Sequence, residues 1–118
     1  MDRNNVVHRT MLICVLLSAL TVATYWPVFH NGFIRYDDPD YVTENGPVLA
    51  GLTWDSTVWA FHANHSSNWH PLTWLSHMLD VQLFGSNATG HHLTSLVLHL
   101  ANTLLLFVVL ANDRRTLA

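Results

Sequence analysis

Charged residues are scarce in this chain. Of its 118 residues, 11% are Asp, Glu, Lys or Arg and 50% are hydrophobic, whereas a soluble domain usually carries about 25% charged residues. The five basic residues form no patch that would indicate a nucleic-acid partner. The single cysteine, Cys14, excludes an internal disulfide and leaves the redox compartment open. The shortage of charge indicates that much of the chain lies in a membrane.

Two long apolar segments occupy the regions where charge is missing. Residues 11–29 and 93–111 each approach the roughly 20 apolar residues that a membrane-spanning helix needs. Tyr25 and Trp26 stand near the end of the first segment, where interfacial aromatic residues belong, and Pro27 weakens the helix there. A cleaved signal peptide is the alternative for this first segment, although no clear small-x-small cleavage site is present. We therefore predict two transmembrane helices.

The arginines set the predicted orientation. Two precede the first apolar segment, one lies between the segments and two follow the second: Arg3, Arg9, Arg35, Arg114 and Arg115. Positively charged flanks stay in the cytoplasm, so residues 1–10 and 112–118 are expected there and residues 30–92 on the other side. We expect an integral protein of a bacterial inner membrane or of the endoplasmic reticulum, with this loop in the periplasm or the lumen.

The loop 30–92 is too long to lack secondary structure, and it contains two helix patterns. In LTWDSTVWAFHAN, Thr53 suits the N-cap and Asp55 the first turn, and three apolar residues share one face: Trp54, Val58 and Phe61. In HPLTWLSHMLDVQLFG, Pro71 suits the first turn and Gly85 the end.

The second of these patterns also has two distinct sides. An apolar stripe is formed by Leu72, Leu75, Met78, Leu79 and Leu83, whereas Thr73, His77 and Asp80 face away from it. An amphipathic helix between two spans is expected to lie along the membrane surface. The predicted fold class is thus an all-α membrane protein, with two transmembrane helices joined by a long extracytoplasmic loop that holds two short amphipathic interfacial helices.

An acidic cluster lies directly after the first span, in FIRYDDPDYV. It contains Asp37, Asp38 and Asp40. The Asp-Pro-Asp part is typical of a solvated turn. Two adjacent carboxylates beside a membrane helix could also coordinate a divalent cation, or one of them could act as a general base. The residue types leave these roles open, and no cofactor beyond that possible cation is indicated.

Nine histidines are many for this length. Neither a cysteine nor an HExxH-type spacing accompanies them, so a zinc site is only weakly indicated, and the metal ligands are unknown at this point. Polar groups at helix ends are the alternative interpretation. Four polar residues form a stripe on the second span: His92, Ser95, His99 and Asn102. Polar groups in a span usually face protein, so this helix is expected to have protein neighbours.

The order of these segments resembles a known family. YDDPDYVTENGPVLAGLTW, followed by NWHPLTWLSHMLDVQLFG and a second span, resembles the N-terminal part of membrane glycosyltransferases of the GT-C fold. The most similar group carries tetratricopeptide repeats after the membrane domain and includes O-mannosyltransferases. The resemblance covers nearly the whole chain. It implies transfer of a sugar from a polyprenyl-phosphate donor to a hydroxyl acceptor outside the cytoplasm, as in protein O-glycosylation.

The resemblance also implies roles for three residues, and the chemistry of the transfer points to a fourth. Asp37 matches the first member of an essential acidic pair, and Asp38 supports it. The basic residue before Pro-Leu often lies near the donor phosphate in related enzymes, and His70 stands at that position, where Lys or Arg is common. A phosphate leaving group needs a positive partner, and Arg35 is the only arginine in the loop.

The resemblance further implies partners that this sequence does not contain. Such enzymes have further transmembrane helices and, in this group, tetratricopeptide repeats. We therefore expect the chain to be a fragment that is inactive alone. The alternative is a non-catalytic two-span subunit or scaffold protein, which would not require the acidic pair.

Overall fold

The computed structural model describes residues 3–65 and 67–116, with side chains for residues 4–65 and 67–112. That part of the chain contains five α-helices: α1 (Arg3–Tyr25), α2 (Gly46–Leu49), α3 (Trp54–His62), α4 (Pro71–Phe84) and α5 (Ala88–Thr116). It contains no β-strand. The predicted all-α class is confirmed. The outermost positions of the predicted cytoplasmic ends, residues 1–2 and 117–118, lie outside the described residues.

Two of the described helices are long and apolar enough to cross a membrane. They cover Asn4–His30 and Ala88–Asn112, which include the two predicted spans. A turn of 3-10 helix (Trp26–His30) replaces the α-helix after Tyr25, because Pro27 cannot donate the next α-helical hydrogen bond. In the first of these helices 0% of the most apolar 18-residue stretch is buried within the chain, and in the second 6% is buried. This exposure differs from that of a core helix in a soluble protein, which is mostly buried.

The chain divides into two compact units. We call the first the helix pair; it comprises the described residues up to Val28 and from Ser95 onward. The Tyr25 ring meets the His99 ring edge-to-face, with 5.0 Å between ring centroids. Near the other ends of the two helices, Val7 and Met11 line a shallow groove together with Val108. The helices α1 and α5 are therefore antiparallel, with the beginning of α1 beside the end of α5.

One member of the predicted polar stripe on the second span contacts an aromatic ring of the first. His99 contacts Tyr25, as expected for a polar residue that faces protein. The Asn102 side chain is exposed within the chain, and its protein neighbours stay a prediction.

The second unit, which we call the loop domain, comprises Phe29–Thr94. Its helices α2, α3 and α4 pack around a small core, and its buried members are Val48, Ala60, Trp74 and Met78. Tyr41 and Trp59 pack against this core from its edge. Burial of apolar side chains stabilises such a unit, and Trp74 is the largest fully buried side chain among the described residues.

The predicted helix ends of the loop domain are confirmed. The Thr53 hydroxyl accepts a hydrogen bond from the Ser56 amide (3.1 Å), and the Ser56 hydroxyl accepts one from the Thr53 amide (2.9 Å). This reciprocal pair satisfies two amides at the start of α3. Pro71 occupies the first turn of α4. Gly85 ends α4 with a φ of 62°, a conformation that residues with a Cβ rarely adopt.

The apolar stripes of α3 and α4 lie on the outside of the loop domain. Their exposed members are Trp54, Val58, Phe61, Leu72, Leu79 and Leu83. Two members depart from the predicted stripe, since Met78 is buried in the core and Leu75 packs against it. On the opposite side of α4, Asp80 is buried and His77 half-buried. Two members of the predicted polar side of α4, His77 and Asp80, thus face protein, whereas the third, Thr73, is exposed.

Candidate functional site

The acidic cluster forms a hydrogen-bonded turn. The Asp38 carboxylate accepts a hydrogen bond from the Ile34 amide at 2.6 Å, which fixes the side chain in a half-buried position. The Tyr41 amide donates to the Asp37 carbonyl at 3.0 Å, and the buried Asn45 side chain donates to the Asp40 carbonyl at 2.8 Å. The carboxylate of Asp37 is exposed and makes no hydrogen bond within the described part of the chain. Asp38 is therefore held in place while Asp37 is accessible.

Tyr41 connects this turn to α4. Its ring stacks on the Trp74 ring, with 5.0 Å between centroids and an interplanar angle of 25°. The ring centroids of His70 and His77 lie 5.6 Å and 6.4 Å from that of Tyr41. Aromatic pairs at such distances stabilise a fold beyond their buried area. The turn that carries Asp37 and Asp38 is thus packed against the HPLTWLSH segment.

The electrostatics of His77 show which groups surround it. Burial lowers the pKa of His77 below its usual value, and the nearby His91 and His70 lower it further, whereas Asp80 and Asp38 act in the opposite direction. Desolvation disfavours the charged imidazolium, so His77 is neutral at pH 7. Asp38 and His70 are both close enough to act on His77, which places them around the same part of α4.

The four site residues predicted from the sequence fall into two pairs. The His70 ring lies beside that of Tyr41, and Asp38 and His70 are each close enough to His77 to act on it electrostatically. Arg35 and Asp37 lie on the exposed turn directly before Asp38. Within the described residues, no third His, Cys, Asp or Glu joins Asp37 and Asp38 in a group with metal-binding geometry. The cation that the sequence left open for the acidic pair therefore gains no support at that position.

A second cluster was not predicted from the sequence. His77 and Asp80 on α4 and His91 in the first turns of α5 bring one potential ligand atom each within 4.8 Å of one another. Asp80 also accepts a hydrogen bond from the Thr94 hydroxyl at 2.5 Å. The i, i+3 spacing of His77 and Asp80 was a usable signal, because it places both on one side of a helix. Nothing local pointed to His91 as their partner.

An apolar groove lies beside His70. It is lined by Phe61, Trp69, His70, Pro71, Leu72 and Thr73. The Trp69 indole donates a hydrogen bond to the Phe61 carbonyl at 2.9 Å and so holds the segment between α3 and α4 in position. Trp69 and Leu72 are largely exposed. The groove combines apolar walls with one histidine among its lining residues, a combination that suits a ligand with an apolar chain and a polar head.

Comparisons of the chain with protein-family models, with curated proteins and with solved structures found no match. The site must accordingly be interpreted from its own residues.

Proposed function

We propose that this chain is the N-terminal part of a membrane glycosyltransferase that transfers a sugar from a polyprenyl-phosphate donor to a hydroxyl acceptor outside the cytoplasm. The observation that carries the proposal is the packing of Tyr41 between the acidic turn and the HPLTWLSH segment. These are the two segments that also carry the resemblance to GT-C enzymes. Sugar transfer from a lipid phosphate needs a carboxylate for the acceptor and cationic or polar groups for the phosphate, and this packing brings both kinds of group to one region.

The two carboxylates suit different tasks. Asp37 is exposed and has no competing hydrogen bond in the described residues, so it can accept the proton of an acceptor hydroxyl or orient that hydroxyl. A general base must reach its proton directly or through one water molecule. The Asp38 carboxylate already accepts a hydrogen bond from the Ile34 amide, so its task is to hold the turn against α4.

The donor phosphate and its lipid chain suit the other side of the region. Polyprenyl phosphate is an apolar chain with an anionic head. The exposed groove beside His70 offers apolar walls for the first isoprene units, and His70, one of its lining residues, supplies a polar group for the head. Arg35, exposed on the acidic turn, supplies the positive charge that stabilises a phosphate leaving group.

The test is sugar transfer by the protein encoded by the complete reading frame. The purified protein, in lipid nanodiscs, is given a labelled sugar on polyprenyl phosphate or the same sugar on a nucleotide, together with a hydroxyl-bearing acceptor peptide. We expect label on the peptide only with the lipid donor, because the apolar groove selects the prenyl chain. Label from the nucleotide sugar alone would contradict the proposal. No transfer by folded protein from any of several lipid-linked sugars would favour the non-catalytic subunit.

The proposal also fixes the membrane sidedness. The acidic turn must face the extracytoplasmic side, and the arginine distribution predicts the same orientation. Ser86 is exposed in the loop domain, which makes it a suitable probe position. After Cys14→Ala, we expect Ser86→Cys to react with a membrane-impermeant maleimide in intact cells, and Arg115→Cys only after lysis. The reverse pattern would contradict this topology.

A further inference from the structure

The cluster of His77, Asp80 and His91 has the composition of a metal site. Two imidazoles and one carboxylate belong to the ligand types that zinc takes in proteins. All three residues lie in the loop domain, and their potential ligand atoms are within 4.8 Å of one another. Asp80 and His91 are buried, with 3% and 5% of their surface exposed. A buried carboxylate is unfavourable unless a cation or hydrogen bonds compensate it, and the only arginine of this domain, Arg35, is exposed on the acidic turn.

The ring of His91 is oriented as a metal ligand would be. Its Nε2 lies 3.1 Å from the Gly85 carbonyl oxygen. A carbonyl can only accept, so Nε2 carries the proton, and in the neutral ring the lone pair is on Nδ1. A backbone carbonyl that fixes the tautomer in this way is the usual outer partner of a metal-bound histidine.

The separation between His91 and Asp80 fits a bridging ion. His91 Nδ1 lies 3.7 Å from Asp80 Oδ2, which is too long for a hydrogen bond. Two ligand atoms that are each about 2.1 Å from a tetrahedral zinc ion lie about 3.4 Å apart. The other oxygen of Asp80 accepts from the Thr94 hydroxyl at 2.5 Å. This hydrogen bond orients the carboxylate and leaves Oδ2 on the side of His91.

His77 supplies the third group. Its Nδ1 is buried and has no hydrogen-bond partner within the described part of the chain. Its ring is nearly parallel to that of His91, with centroids 6.1 Å apart.

We propose that His77, Asp80 and His91 bind one zinc-type divalent transition-metal ion. The ion links α4 to the first turns of α5, and three protein ligands leave a fourth position for water or another ligand. The three ligands do not include Asp37 or Asp38, although Asp38 lies close enough to His77 to act on it electrostatically, and the ion site does not depend on the proposed sugar transfer. The competing arrangement is a metal-free ion pair between protonated His91 and Asp80, which the following experiment distinguishes.

The experiment measures zinc binding by the full 118-residue chain in detergent micelles, purified with a tag that contains no histidine. The protein is stripped with EDTA, titrated with zinc and analysed by elemental mass spectrometry after gel filtration. We expect the wild type to hold one more zinc ion per chain than a triple variant in which all three ligands are replaced (His77→Gln, Asp80→Asn, His91→Gln). Each single ligand variant should weaken binding by more than about 100-fold, since even outer partners are worth about 10- to 100-fold.

Two further variants separate ligation from folding. Thr94→Ala removes the outer hydrogen bond of Asp80 and should weaken zinc binding by about 10- to 100-fold while stoichiometry stays at one. His62→Gln changes an exposed histidine on α3, whose Nδ1 contacts the Val58 carbonyl, and should leave affinity unchanged. Cobalt should give the intense visible absorption of a tetrahedral site in the wild type and in His62→Gln. The proposal would be overturned if the wild type held no more zinc than the triple variant. It would also be overturned if His62→Gln lost as much zinc affinity as the single ligand variants.

Discussion

Asp37→Asn is expected to lower sugar transfer by about 100- to 10,000-fold, the range that a positioned general base contributes. The effect should fall on kcat, because the amide keeps the size of the carboxylate but cannot take a proton. Donor binding and expression should be little changed, since the Asp37 side chain is exposed and makes no hydrogen bond in the described residues. The measurement is the rate of transfer from labelled polyprenyl-phosphate sugar by the purified complete protein, with kcat and KM determined separately.

The neighbouring aspartates are the matched controls. Asp38→Asn should reduce transfer less, because the amide oxygen of Asn can still accept the hydrogen bond from the Ile34 amide. Asp40→Asn should have the smallest effect, since the Asp40 contact within the turn is made by its carbonyl oxygen, which accepts from Asn45. If Asp37→Asn retained near-wild-type turnover, the acidic cluster would be a solvated turn and the general-base role would be wrong.

The second large effect is expected on stability. Trp74→Ala should destabilise the loop domain by about 3–5 kcal/mol, the usual loss when a buried Trp or Phe is truncated. Trp74 has no exposed surface, and its ring contacts those of Tyr41, Trp59, His65 and His70. A loss of this size approaches the whole free energy of unfolding of a small domain, about 5–15 kcal/mol. It should be measured as the denaturant dependence of protease resistance in the loop domain.

Trp54 provides the matched control for this prediction. It lies at the start of α3 with 81% of its surface exposed, and exposed substitutions usually change stability by about 0.5 kcal/mol or less. Trp54→Ala should therefore leave protease resistance in detergent nearly unchanged. Equal losses for the two variants would show that the core is not organised around Trp74.

The elements of this fold follow from local signals in the sequence. The capping residues Thr53 and Ser56, the proline at position 71 and the glycine at position 85 all act through the nearest turn of backbone. Their effects are therefore visible in short segments. The two long apolar segments are equally local, because length and composition alone make a helix able to cross a bilayer.

The contacts between elements could not be predicted in this way. Val58 and Met78 both belong to apolar helical faces, yet Met78 is buried and Val58 is 40% exposed. The difference depends on which neighbours pack against each face. The meeting of His91 with His77 and Asp80 likewise depends on how the chain turns after Gly85. Asp37 and Asp38 are adjacent in sequence, but only Asp38 is fixed by the Ile34 amide.

We propose that the loop domain holds the lipid-phosphate donor beside the acidic turn. Photo-crosslinking with a donor analogue would show which residues contact the donor. A polyprenyl-phosphate sugar with a diazirine in its first isoprene unit would be illuminated with the complete protein in membranes, and the modified peptides identified by mass spectrometry. We expect adducts on the residues that line the groove, Phe61 and 69–73, that unlabelled donor suppresses and the unphosphorylated prenol does not. Donor-suppressible adducts that lie entirely outside residues 30–92 would contradict it.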